Sequence, residues 1–265
     1  MIGNDYLRKM LLDVSSKSID YLRKNFCNNS ELELIRGETI KADLISEKII
    51  IDELKKYDIS FKIVTEESNV VGSGDYTFVV DPLDGSVNYE NCIPWCSVSI
   101  AVLPPRSKEI IAGVVSPVSS GMPFSFAKGY GCYEGNKRIE INKENKSNII
   151  FTYVESEKEA NIMASIVKEK RGLKLRSLGS SALELIYTSL NRSYAFVDLR
   201  SKLRNVDVAA ALGFLSECGG IAFDEKGNSL TIDTDKVSVI GNVIASFNKS
   251  NVVNIIKILS NKNIV

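Results

Sequence analysis

An apolar run, Phe78-Val79-Val80, leads directly into Asp81-Pro82-Leu83-Asp84-Gly85-Ser86-Val87-Asn88-Tyr89. Asp81 and Asp84 stand three positions apart across a turn that Pro82 enforces, so both carboxylates can face one point. Two carboxylates held that close repel unless a proton or a cation lies between them. Ligands that are all oxygen favour magnesium, manganese or calcium. Gly85-Ser86 can open a helix whose free backbone N–H groups suit a phosphate. An isolated Asp-x-x-Asp serves more often as a turn and cap, so the reading depends on what accompanies it.

Three further acidic features accompany it. Glu66-Glu67-Ser68 follows the β-rich run Phe61 to Thr65. Asp207 stands before Val208-Ala209-Ala210-Ala211, at the start of an apolar helix that ends near Gly219-Gly220. Asp43 opens another helix, in Ala42-Asp43-Leu44-Ile45-Ser46-Glu47. Each of the last two alone reads as a helix cap.

Composition narrows the chemistry. The chain has 265 residues, no histidine and five cysteines. Without histidine, Ser-His-Asp and Cys-His nucleophiles, imidazole bases and His-ligated zinc are excluded. Cys27, Cys92, Cys96, Cys132 and Cys218 are odd in number and scattered, which reads as free thiols rather than a disulfide framework. A formal net charge of zero argues against a nucleic-acid binder. No apolar run reaches the length of a membrane span, and the N-terminus lacks the pattern of a secretory signal, so the expected location is the cytoplasm.

The elements that must position these residues form a mixed pattern. Helical spacing marks the first segment (Tyr6, Met10, Val14, Leu22, Phe26) and Asp43 to Tyr57. Strands are predicted at Phe61–Thr65, Tyr76–Val80, Ser97–Leu103, Glu109–Ser116, Phe124–Ala127 and Gly131–Glu134. Beyond about residue 145 strands and helices alternate: strand Ile149–Val154, helices Glu157–Lys170 and Ser181–Leu190, strand Ala195–Asp198 and helix Asp207–Cys218. Strands Val237–Ile240 and Val243–Phe247 precede a last helix that Ser250 caps. The fold class is α+β to α/β. Two lobes, 1–145 with the metal motif and 146–265 with the last acidic residue, share one site.

Taken in order, Glu66-Glu67-Ser68, Asp81 to Tyr89, Gly179-Ser180-Ser181-Ala182 and Asp207 to Gly220 resemble the inositol monophosphatase family. The similarity is closest to archaeal-type members that act on fructose 1,6-bisphosphate as well as inositol phosphate. It spans roughly Lys41 to Phe247. Val206 stands where the family usually has Trp, and Ser86 replaces a common Thr while keeping the hydroxyl. The resemblance implies a layered αβαβα sandwich and magnesium, two or three ions per site, with manganese as a substitute. It implies one ion between Glu67, Asp81 and the Leu83 carbonyl, a second between Asp81, Asp84 and Asp207, and a weaker third sharing Glu67. Ser86 and Asp43 would orient the attacking water, Asp43 accepting its proton.

The same resemblance places the reacting phosphate on the Asp84-Gly85-Ser86 backbone and the polyol at Gly179 and Ser181. Arg176, Arg200 and Arg204 are candidates for a second phosphate, because a guanidinium grips phosphate with two parallel bonds. Lys41 is a lesser candidate. The implied activity is magnesium-dependent hydrolysis of a small sugar or polyol phosphate by a homo-oligomer, with a dimer as first expectation. Two alternatives stand beside it: a phosphatase acting on 3′-phosphoadenosine 5′-phosphate, and a non-catalytic member of the fold.

Overall fold

The computed structural model of the chain describes residues 2–37, 39–119, 121–144 and 146–261. The boundary residue 145 lies outside the described residues. Helix α1 (Asn4–Lys24), a small ribbon of β1 (Leu34–Arg36) and β2 (Thr39–Ile40), and helix α2 (Lys41–Leu54) come first. Then follow β3 (Phe61–Thr65), β4 (Asn69–Gly72), β5 (Tyr76–Asp84), the short helix α3 (Ser86–Glu90) and β6 (Ser97–Leu103). A meander of β7 (Ala112–Pro117), β8 (Phe124–Ala127), β9 (Gly131–Glu134) and β10 (Lys137–Arg138) closes the first half. The second half runs β11 (Ile149–Thr152), α4 (Glu157–Glu169), β12 (Lys174–Arg176), α5 (Ser181–Ser189) and β13 (Ala195–Arg204). It ends with α6 (Asn205–Glu217), β14 (Ile221–Phe223), β15 (Val239–Ser246) and α7 (Lys249–Asn261).

Strands order as β10-β9-β8-β7-β6-β5-β3-β4 in an eight-stranded sheet and β12-β11-β13-β15-β14 in a five-stranded one. In the large sheet only β3 and β5 run parallel. Three apolar clusters glue the layers. Leu7, Leu11, Val14 and Ile50 of α1 and α2 bury against Phe78, Val98 and Val114 on one face of the large sheet. Helices α5 and α6 fill the space between the sheets, with Leu185, Val208 and Phe214 among Val79, Phe126, Phe196 and Val243. Ile162, Ile166, Val252 and Ile255 of α4 and α7 cover the outer face of the small sheet. The result is the expected αβαβα sandwich. The unbroken apolar run Val208–Leu215 within α6 follows from this: a helix buried between two sheets has no solvent face to make amphipathic.

Several elements differ from the sequence expectation. Strand β5 continues through Pro82 to Asp84 instead of stopping at Val80, with a register shift between Asp81 and Asp84. Pro82 is tolerated there because the bulge takes that step out of the ladder. Val237–Ile240 and Val243–Phe247 merge into β15, and β13 runs six residues past Asp198, to Arg204. The free-thiol reading of the cysteines is corrected: Cys27 pairs with Cys92 and Cys132 with Cys218, at Cα separations of 5.2 and 6.3 Å, leaving Cys96 as a buried free thiol. Sequence spacing gave no sign of these pairs because 65 and 86 residues separate their members.

Candidate metal and phosphate site

The parallel pairing of β3 with β5 sets Thr65 beside Val80, so the residues leaving the two strand ends, Glu66 and Asp81, arrive together. Asp207 reaches the same point from the first turn of α6. One carboxylate oxygen from each of Glu66, Asp81 and Asp207 lies within 4.8 Å of the others. Asp81 is only 2% exposed. The strand end thus delivers Glu66, where the sequence reading takes Glu67. Both acids lie in the turn that follows β3, and of the two it is the Glu66 carboxylate that meets Asp81 and Asp207. The Glu67 carboxylate lies at the rim, where it accepts a hydrogen bond from the Thr39 hydroxyl at 2.9 Å.

Glu47 of α2, unnoticed in the sequence, fixes that turn. Its buried carboxylate accepts from the Thr65 hydroxyl at 2.6 Å, from the Glu67 and Ser68 N–H groups at 3.1 and 3.2 Å, and from the Ser68 hydroxyl. Every one of these donors flanks Glu66. The only sequence signal was an acid one helical turn after Asp43 on a buried helix face.

Asp84 bridges the two halves of the chain. Its carboxylate accepts from the N–H groups of Ser181 and Ala182 at 3.1 and 3.0 Å, from the Ser180 hydroxyl, and from the Ser97 hydroxyl at 3.3 Å. It therefore caps the N-terminus of α5, where negative charge is favoured. The glycines beside it are set by close approach. Gly85 has φ +88°, and a Cβ there would meet the Gly179 carbonyl at 2.8 Å; Gly179 has φ +93°, and its Cβ would meet the Asn88 side chain at 2.6 Å. Asn88 fastens this contact, donating to the carbonyls of Leu178 at 2.6 Å and Trp95 at 2.8 Å. On the other side of the motif the Ser46 hydroxyl donates to the Pro82 carbonyl at 2.6 Å, and the Leu83 N–H donates to Asp81 at 3.0 Å.

Asp43 and Asp207 both act as caps, but from the third position of their helices. Asp43 accepts the Ile40 N–H and Asp207 the Arg204 N–H, each at 2.8 Å. The two functional readings do not compete with capping, because each carboxylate keeps lone pairs for a second partner.

The electrostatics are those of crowded buried acids. Burial pushes Asp84 up to about 7, reinforced by Asp207. Burial pushes Asp43 up to about 8, with Glu66 and Glu67 adding repulsion. Asp81 is raised well above the usual carboxylate range by burial, then by Glu66, Asp84 and Asp207. Glu66 is raised mainly by burial, against the pull of Arg204. The Arg204 guanidinium sits among them, 2.7 Å from Glu66 and 2.9 Å from Asp207.

These groups line a cleft of about 870 Å³ whose walls include Asp43, Glu67, Leu83, Gly85, Ser86, Gly179, Ser181 and Arg200. Tyr153, Glu155 and Lys202 also line it, and the sequence reading missed them. Arg204 belongs to the acid cluster rather than to a second-phosphate site. Arg176 is corrected: it is exposed on edge strand β12, outside the cleft lining, and donates to the Leu175 carbonyl. Lys41 pairs with Glu31 at 3.3 Å and also stays out of the cleft. Val206, where the resemblance leads one to expect Trp, is fully buried between the sheets.

The sequence profile of the inositol monophosphatase family matches residues 4–262. The chain belongs to the inositol monophosphatase family. An inositol-1-monophosphatase of Aeropyrum pernix is 42% identical over 257 residues, covering 94% of this chain and 96% of that protein. A fructose-1,6-bisphosphatase/inositol-1-monophosphatase of Methanocaldococcus jannaschii is 32% identical over 207 residues, covering 77% of this chain and 79% of its own. Among solved structures, a hypothetical protein of Pyrococcus horikoshii with similarities to inositol-1 monophosphatase superposes with a TM-score of 0.83 at 30% identity. That match covers 96% of this chain and 98% of the other. In this member of the family the acid cluster has an all-oxygen donor set of the kind hard divalent cations require.

Proposed function

We propose that this inositol monophosphatase-family chain is a magnesium-dependent phosphatase of small sugar or polyol phosphates, its candidate substrates being inositol 1-phosphate and/or fructose 1,6-bisphosphate. The convergence of Glu66, Asp81 and Asp207 from three separate elements carries the reading. Glu66, Asp81, Asp207, Asp84 and the Leu83 carbonyl would hold two or three ions. A divalent ion there supplies positive charge for the phosphate oxygens and lowers the pKa of water. Manganese is the natural substitute.

The chain's own residues do the rest. Asp43 borders the same cleft as Ser86 and is raised to about 8, so it can accept and hold a proton near neutral pH. The Gly85–Gly179 contact presents bare backbone to the cleft, which lets a phosphate approach without a side chain in the way. Gly179 and Ser181 face the polyol side. A nucleotide substrate is disfavoured. Tyr153 is the one aromatic residue among the described lining residues, and the Arg200 guanidinium already covers its ring at 4.0 Å.

The working molecule is read as a homo-oligomer in the cytoplasm, its partner a small phosphate ester. Among the described residues no helix is long and apolar enough to cross a membrane. The test is phosphate release from inositol 1-phosphate, fructose 1,6-bisphosphate, fructose 1-phosphate and adenosine 3′,5′-bisphosphate, with magnesium and with chelator. Release of phosphate from any of the first three, lost with chelator and in Asp81→Asn, supports the reading. Turnover of the adenine nucleotide alone, or of nothing, refutes it.

A further inference from the structure

We propose that Glu155 is a specificity-determining residue: by holding Arg200 and Lys202 in ion pairs on the outer wall of the cleft, it closes that wall to a second phosphate and selects monophosphates of neutral polyols. The proposal rests on the phosphatase reading above and narrows it to one substrate class.

The inner wall of the cleft holds the acid cluster. The outer wall is built by Tyr153, Glu155, Arg200 and Lys202, all from the second half of the chain. Arg200 is the residue a second phosphate would need, and its guanidinium is already engaged on three sides. Nε and Nη2 donate to Asp198, at 3.1 and 2.6 Å to the same carboxylate oxygen, and Asp198 is completely buried. The guanidinium plane rests over the Tyr153 ring at 4.0 Å. Nη1, the remaining nitrogen, donates to Glu155 at 2.5 Å. The other Glu155 oxygen takes Lys202 at 2.5 Å.

Two cations are thus matched by two carboxylates, and the wall presents no net positive charge. A phosphate needs the Nη edge for its two parallel bonds. Reaching that edge requires either displacing Glu155 or setting a dianion against it. The bonds from Lys202 and Arg200 also hold the Glu155 carboxyl below its usual range, so it stays ionised at neutral pH. A hydroxyl meets no such barrier. The carboxylate of Glu155 is partly open to solvent, and each oxygen keeps a lone pair for an O–H donor. Arg204, the remaining lining arginine, is committed to Glu66 and Asp207.

The experiment compares Glu155→Gln with wild type, measuring kcat/KM for fructose 1,6-bisphosphate against inositol 1-phosphate and fructose 1-phosphate. Glu155 is on the surface and its amide is nearly isosteric, so the fold is retained. The expected result is a wild type that favours the monophosphates. In Glu155→Gln the bisphosphate-to-monophosphate ratio rises at least about tenfold, mainly through KM, the scale of a charge-assisted phosphate bond. Adding Lys202→Met should take part of that gain away. A ratio changed by less than about twofold, or a wild type that already turns over the bisphosphate as well as the monophosphates, overturns the proposal. A readout without turnover runs in parallel: the bisphosphate should raise the melting temperature of Glu155→Gln more than that of wild type, and equal shifts overturn the proposal. A wild type that hydrolyses none of the esters refutes the phosphatase reading, while the melting shifts still decide whether Glu155 excludes the second phosphate.

Discussion

Stripped of divalent cation by a chelator, the protein should lose stability as pH rises from about 4 to 8.5. Asp81 and Asp84 are buried and Glu66 is half-buried against them, and their carboxyls are raised above the unfolded values. A carboxyl with a raised folded pKa binds its proton more tightly in the native state than in the unfolded chain. The stability it contributes is therefore complete below its unfolded value near 3.8 and is lost as pH climbs through its folded value, about 7 for Asp84 and about 8 for Asp43. For Asp84 the difference is about three pK units, or about 4 kcal/mol. In a chain of this size that is on the order of 10 °C in melting temperature. Magnesium at about 100 times its Kd should return about 2.7 kcal/mol by binding only the folded state. The assay is scanning calorimetry across this pH range, with chelator and with magnesium. Asp81→Asn removes one of the repelling charges, so it should raise the chelated melting point at pH 8.5 and flatten the pH slope while abolishing turnover. A chelated melting point that is level or rises with pH, or an Asp81→Asn protein that melts lower at pH 8.5, would show that the cluster is not held against repulsion.

Glu66→Gln should weaken magnesium binding about 100-fold or more by calorimetry, whereas Glu67→Gln should change it less than about tenfold; the reverse order would restore Glu67 as the ligand. Glu47→Gln removes the charge that four donors around Glu66 share, and should weaken metal binding about 10- to 100-fold, with turnover largely recovered at saturating magnesium. Failure to recover at saturation would mean that Glu47 does more than position the turn. Denatured without reductant, the chain should expose one reactive thiol, Cys96. Reduction should lower the melting point, since closing loops of 65 and 86 residues stabilises by about 4 kcal/mol each in the chain-entropy account. Five reactive thiols before reduction would rule the pairs out.

The chain's local order settles a good deal by itself. The absence of histidine removes imidazole bases and His-ligated metals, and the Asp81-Pro82-Leu83-Asp84-Gly85 spacing marks the acidic motif. Apolar periodicity placed strands such as Phe61–Thr65 and Ser97–Leu103 with the bounds the structure has. These are properties of neighbours in sequence, and side-chain period and φ preference act over a few residues. What they do not reach is decided by strand register and by packing across the sandwich. Glu66 and Glu67 are chemically identical, and only the pairing of β3 with β5 selects which one meets Asp81. Arg176 and Arg200 look alike in the sequence, yet one ends on an exposed sheet edge and the other in the cleft wall. Glu155 and the two cysteine pairs carry no local signature, and Glu47 only its helical spacing from Asp43, because each gains its role from a partner brought close by the folded chain.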